Sequence, residues 1–163
     1  MSANPSEVRK TLTLQCSQEH AFRVFTERMG NWWPATHHTG ALPFRDIVIE
    51  KQTGGRWYEI DVREQKGDWG HVLAWEPPHR LVLSWHLDTE FIYRTELDRA
   101  SELELRFIAE GPRQTRVEFV HSHIDRHGKG HEALRDQLDN GWVSVLDAYI
   151  ALAHSVPEAG GGQ

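Results

Sequence analysis

The sequence predicts an α+β fold in which a curved antiparallel β-sheet wraps one long C-terminal helix, and two observations carry that prediction. From His131 to Ser155, apolar residues at Leu134, Leu138, Gly141, Trp142, Val145, Leu146, Tyr149, Leu152 and Ala153 recur at three- and four-residue steps, one face of an amphipathic helix. From Phe44 to His123 the pattern changes to two-residue alternation interrupted by turn residues, as expected of consecutive hairpin-connected strands. A helix of that length, about 37 Å at about 1.5 Å per residue, needs a wide apolar partner. A sheet supplies one, and segregated helices with sequential hairpins give α+β layering. The space between such a sheet and its helix is a natural pocket.

Taken in order, Val8, Lys10, Leu12 and Leu14 alternate with Arg9, Thr11 and Thr13 as a half-buried first strand. Ser17 then caps a short helix whose apolar face is Ala21, Phe22, Val24, Phe25 and Met29, and Gly30 is expected to stop it. In Asn31-Trp32-Trp33-Pro34 the proline breaks any helix, and the two adjacent tryptophans are expected not to face one core together from regular structure, so that one of them covers something. Ala35 to Leu42, with His37, His38 and Gly40, reads as a loop. Phe44 to Lys51 resumes as a strand, and Gly54-Gly55 is a turn.

The strand from Arg56 to Val62 sets Trp57, Glu59 and Asp61 on one face and Tyr58, Ile60 and Val62 on the other, and which face points inward is left open. Lys66-Gly67-Asp68 is expected as the next turn, before a strand Trp69 to Trp75 closed by Glu76-Pro77-Pro78. Leu81, Leu83 and Trp85 form a further strand, and the stretch through Phe91 and Tyr93 to Arg99 reads as a loop over the sheet. Leu103, Leu105 and Phe107, then Val117, Phe119, His121 and His123, flank the Gly111-Pro112-Arg113 turn as the clearest hairpin. Asp125 to Gly130 leads into the long helix. Residues 1–156 read as a single domain and 157–163 as a flexible tail.

Composition narrows the function. A formal charge of −6 with no basic cluster argues against nucleic-acid binding. A single cysteine, Cys16, rules out an intramolecular disulfide and makes a cytoplasmic location the default expectation. No run approaches the roughly 18 apolar residues of a spanning helix, so no membrane insertion is expected. No phosphate loop, dinucleotide fingerprint or Ser-His-Asp arrangement is visible, and no cofactor is expected. Seven tryptophans and eleven histidines in 163 residues suit pocket walls that are partly apolar and partly wet.

The segments Gly54-Gly55-Arg56-Trp57-Tyr58-Glu59, Trp69-Gly70-His71-Val72-Leu73-Ala74-Trp75-Glu76-Pro77-Pro78 and Arg80-Leu81-Val82-Leu83-Ser84-Trp85 carry a resemblance. Trp32-Trp33-Pro34, Ser101 to Phe107, Thr115 to Glu118 and Gly141-Trp142 extend it. With this element order, the chain from Val8 to Ala153 resembles the activator of heat-shock protein 90 ATPase homologue-like family of the START-like (SRPBCC) superfamily. The resemblance implies a helix-grip fold around a mostly apolar cavity. It implies less about chemistry, because that superfamily spans lipid and hormone carriers, polyketide cyclases and co-chaperones. The co-chaperone role goes with a separate N-terminal domain, which these residues are not expected to contain, so that reading ranks below the others.

Three function classes therefore stand beside one another: a binding protein for a small apolar, aromatic or lipid-like ligand, a cyclase- or hydratase-type enzyme, and a protein-binding module. The residues that would form the ligand site are Trp33, His37, Trp57, Trp85, His121, Trp142 and Tyr149. Catalysis would fall to Glu59 with His71 or His121 as acid and base. The first two classes separate on whether Glu59, Asp61 and His121 point into the cavity. His121, His123, His127 and His131 stand close enough in sequence for zinc, but no carboxylate or cysteine motif accompanies them and no metal is expected. Gly141 in mid-helix costs about 1 kcal/mol relative to alanine. It suggests close approach of another backbone or room kept for a ligand, beside the plainer reading of a tolerated glycine. A homodimer is left open.

Overall fold

A computed structural model describes residues 6–34 and 42–157. Strand β1 (Val8–Leu14) buries Val8 and Leu14 and exposes the residues between in alternation. The chain then crosses the open side of the sheet through α1 (Gln18–Glu27) and the single turn α2 (Met29–Trp32). Six strands follow as successive hairpins, β2 (Phe44–Ile49), β3 (Arg56–Asp61), β4 (Lys66–Glu76), β5 (Arg80–Trp85), β6 (Ser101–Gly111) and β7 (Gln114–Ser122). The last element is α3 (His131–Ser155), the helix foreseen from its apolar spacing.

All seven strands form one antiparallel sheet in the order β1-β7-β6-β5-β4-β3-β2, curled into a half-barrel against α3. Register shifts at Phe44/Asp46, Trp57/Tyr58, Val72/Ala74 and Ala109/Gly111 supply the bends, because an extra residue on one strand bends it and increases its local twist. Gly70 marks the tightest approach. A Cβ there would lie 1.7 Å from the Ser84 carbonyl oxygen of β5, so only glycine fits.

The helix buries Leu134, Leu138, Trp142, Val145, Leu146, Tyr149 and Ala153 against the sheet and α1. Each large apolar side chain contributes roughly 1.5 to 3 kcal/mol by leaving water. Polar ties fix its rotation and height. Lys10 Nζ reaches Asp139 Oδ1 at 2.8 Å, Tyr149 Oη donates to the Ala21 carbonyl at 2.6 Å, and His20 Nε2 donates to the Ala153 carbonyl at 2.9 Å. No helix among the described residues is long and apolar enough to cross a membrane.

Several expectations need correction. Helix α1 ends at Glu27, and Gly30 lies inside α2 against Asp46 instead of stopping a helix. The turn expected at Lys66-Gly67-Asp68 is instead the start of β4. The chain reverses earlier, between Asp61 and Gln65, where Asp61 Oδ1 accepts from the backbone N–H groups of Arg63 and Gln65. Trp32 and Trp33 do both enter the core, at 4% and 6% exposure. Trp32 closes α2 while Trp33 is extended (φ −63°, ψ 129°), and that change of backbone direction lets neighbouring side chains converge. No described atom comes within 4 Å of a Cβ built at Gly141, so no described backbone packs there. The loop 35–41, including His37, and the tail beyond Pro157 lie outside the described residues.

Candidate functional site

The open question about β3 is answered by contacts: Trp57 donates to Met29 Sδ and packs on Trp69 and Trp85, and Glu59 accepts from Trp69, whereas Tyr58, also buried, lies beneath Arg56 and Lys66 on the opposite face. Trp57 and Glu59 therefore point between sheet and helix. There they join aromatic rings from α1, α2, β4, β5, β7 and α3. Trp33 packs on Trp69 and Trp142 at 5.0 and 5.7 Å, and Trp57 on Trp69 and Trp85 at 5.4 and 5.8 Å. Trp85 meets Trp142 at 5.6 Å, and Trp142 meets Phe119 at 4.7 Å. Tyr149 extends the cluster through Trp32 and Phe25. The tilted and edge-on geometries are those favoured by ring quadrupoles.

The indole N–H groups of Trp32, Trp57, Trp69, Trp85 and Trp142 are spent on the protein. The indole N–H of Trp32 donates to the Val24 carbonyl at 3.0 Å, that of Trp57 to Met29 Sδ at 3.3 Å and that of Trp85 to the Leu87 carbonyl at 3.1 Å. Trp69 donates to Glu59 Oε1 at 2.8 Å and Trp142 to His121 Nδ1 at 3.1 Å. What these residues turn toward one another is therefore ring surface.

The Trp142 bond sets the direction of a longer chain. An indole N–H only donates, so His121 Nδ1 accepts and its proton sits on Nε2, which donates to Ser101 Oγ at 2.7 Å. The Ser101 hydroxyl then donates to His127 Nε2 at 2.8 Å, in preference to the Trp85 carbonyl at 3.5 Å. His127 consequently carries its proton on Nδ1, a buried atom without a hydrogen-bond partner among the described residues. Burial pushes the His121 imidazole well below its ordinary pKa, with nearby His127 adding to the effect. Burial also lowers His127 to about 4, against the opposing attraction of Asp88. Both rings are neutral near pH 7.

Of the residues singled out in the sequence, Trp33, Trp57, Trp85, His121, Trp142 and Tyr149 are buried together, with Glu59 among them. His71 is elsewhere. Its backbone N–H donates to Ser84 Oγ, which donates in turn to His86 Nε2, and His86 stacks on Tyr93 at 5.1 Å on the outer face of the sheet. Glu59 and His71 therefore lie on opposite faces, and both nitrogens of His121 are engaged. His121 and His127 meet through Ser101, whereas His123 is exposed past the end of β7. Among the described residues no three metal-ligating side chains converge.

Sequence reasoning missed Trp69 and Ser101. Ser101 shares strand parity with Leu103 and Leu105 and pairs with Trp85, so its inward position was available from the pattern. Trp69 was not, because the register shift at Trp57/Tyr58 breaks the alternation. A separate cleft of about 320 Å³ lies between α1 and the β4–β5 turn, lined by Phe22, Trp75, Pro77 and Pro78 with Glu19, Arg23, Thr26 and Glu27.

With this geometry in hand, the family model for Activator of Hsp90 ATPase homolog 1-like protein matches residues 15–152. The chain belongs to that family. Among solved structures it is similar to an anthrahydroquino-gamma-pyrone synthase, Txn09, complexed with SUM. The two are 37% identical over 84% of this chain and 90% of that one, with a TM-score of 0.59. It is also similar to CalC, a self-sacrificing resistance protein from Micromonospora echinospora, with 31% identity over 93% and 97% of the two chains and a TM-score of 0.69. Protein NE0264 from Nitrosomonas europaea, 14% identical over 95% and 99% with a TM-score of 0.67, shares the fold. No protein of curated function matches the sequence.

Proposed function

We propose that this member of the family binds a small apolar or aromatic molecule between the sheet and α3, touching Trp33, Trp57, Trp85, Trp142 and Tyr149. The observation that carries the reading is the buried aromatic cluster whose donors are already bound to protein acceptors. Such walls recognise a flat molecule by stacking and apolar contact. The relatives point the same way, since two chains more than 30% identical are named for anthrahydroquino-gamma-pyrone synthesis and for resistance. Entry requires ring movement, because the walls touch one another, and Trp33, which follows the single-turn α2, is the ring placed to move. His37 belongs to the same proposal as a residue of the segment that follows Trp33-Pro34.

The test is titration with a panel of fatty acids and planar polycyclic aromatics, read by tryptophan fluorescence. Saturable quenching by aromatics, weakened by Trp142→Ala, supports the reading. A panel without any saturable response removes it. Enzymatic action of the cyclase kind is favoured by one further observation, the interior position of Glu59 beside a synthase relative. Glu59 would then be the acid–base group, and turnover of a bound polyketide lost in Glu59→Gln would be its signature.

A further inference from the structure

The cleft between α1 and the β4–β5 turn differs from the interior in being already formed, because its two walls are tied together. Gln18, at the start of α1, donates to the Phe107 carbonyl at 2.7 Å and meets His79 Nδ1 at 3.1 Å, and Phe22 packs edge-on against Trp75 at 5.2 Å. Its volume of about 320 Å³ falls at the lower end of small-molecule sites, which run from about 300 to 1,000 Å³. Three of its residues carry polar groups that the protein leaves unspent. Among the described residues the indole N–H of Trp75 has no acceptor, unlike those of Trp32, Trp57, Trp69, Trp85 and Trp142. Arg23 stands 4.0 Å from Glu27 Oε2, beyond hydrogen-bond distance, while Glu27 takes Lys51 Nζ at 3.1 Å. Glu19 has no ionic partner among the described residues. It precedes Arg23 by four positions on α1, a spacing that makes side chains neighbours on one face.

We propose that this cleft is a binding site, separate from the interior one, for a free α-amino acid with an apolar or aromatic side chain. The match is made group by group. The ligand carboxylate accepts from the Arg23 guanidinium and the Trp75 indole, the first of these bonds being charge-assisted. The ligand ammonium donates to Glu19. The side chain lies against Phe22, Trp75, Pro77 and Pro78, whose prolines have no N–H to leave unpaired beneath it. Walls that are tied in advance cost little further ordering when the ligand arrives. A molecule with only one of the two charges leaves Arg23 or Glu19 unmatched, and a peptide terminus carries only one. A neutral aromatic engages neither and gains apolar contact alone.

The experiment follows the Trp75 indole signal, assigned by its loss in Trp75→Phe, in two-dimensional nitrogen–proton NMR spectra. The titrants are L-phenylalanine, 3-phenylpropanoate, which lacks the ammonium, and phenethylammonium, which lacks the carboxylate. L-Phenylalanine should shift the Trp75 signal saturably and bind about threefold or more tighter than either analogue, the gain of one exposed ion pair. Raising the salt concentration should narrow that advantage. The signals of Trp57, Trp85 and Trp142 should stay in place. Glu19 and Arg23 are both exposed, so Glu19→Gln and Arg23→Gln leave the core untouched. The first should bring phenylalanine down to the level of 3-phenylpropanoate, and the second to that of phenethylammonium. Equal affinity for the three compounds, or an advantage that survives both substitutions, overturns the proposal. A Trp75 signal that phenylalanine does not move overturns it too, and neither result bears on the interior site.

Discussion

Ser101 is the smallest side chain in the chain of hydrogen bonds from Trp142 to His127, and both histidines depend on it. Replacing it with alanine leaves two buried imidazole nitrogens without partners and should cost about 1 to 3 kcal/mol in urea denaturation. A loss below about 0.5 kcal/mol would mean that the rings find other partners. The same histidines set a pH window. His121 and His127 titrate lower in the folded chain than their ordinary value of 6.5, so below pH 6.5 the unfolded chain takes up protons first. Stability should fall as pH drops from 6.5 toward about 4, where His127 also protonates in the fold. Buried His86, lowered as well, adds to the slope. Asp88 and Asp139, held below 3.8, act only at lower pH, where stability is lost as they protonate. The slope between 6.5 and about 4 should flatten in His127→Gln, measured as the denaturation midpoint against pH. An unchanged slope would place the proton uptake elsewhere. Trp85, Trp142 and Tyr149 were legible as interior rings because strand parity and helix spacing identify them, whereas parity alone left the face of Trp57 open. The neutral, directional state of His121 was not legible, since it follows from a serine and a tryptophan far apart in sequence.

At the level of elements, periodicity located α3 from His131 to Ser155 and β1 from Val8 to Leu14, where long or clean patterns leave little freedom. It failed where the backbone departs from regular parity. The β3–β4 turn was displaced because Asp61 satisfies a tight reversal whose residues lack the usual glycine, with Glu64 taking a positive φ of 68°. The paired tryptophans were misread because the helix-to-extended change at Trp33 is invisible in a pattern of letters. Two glycines now separate. Gly70→Ala drives a Cβ into the Ser84 carbonyl and should destabilise by about 1 to 3 kcal/mol or more. Gly141→Ala meets no described atom within 4 Å and should raise stability by up to about 1 kcal/mol through helix propensity. Thermal unfolding of the pair should therefore move in opposite directions. Leu138→Ala and Leu146→Ala, both on the buried stripe, should each cost about 2 to 5 kcal/mol.

Over the whole molecule, the curled sheet and α3 bring together aromatic rings that are distant in sequence, and the two faces of the sheet keep separate chemistries. The inner face holds tryptophans, Glu59 and a neutral histidine pair, while the outer face holds His71, His86 and Tyr93. Among the described residues, the cleft at Trp75 is a competing location for a small molecule. The seven indole N–H groups report on both places at once in a two-dimensional nitrogen–proton NMR spectrum recorded during titration with β-naphthol. The interior site predicts saturable shifts of the Trp57, Trp69, Trp85 and Trp142 signals while the Trp75 signal stays in place. A Trp75 signal that moves while those four stay still would put the ligand in the cleft at Trp75 and contradict the interior site.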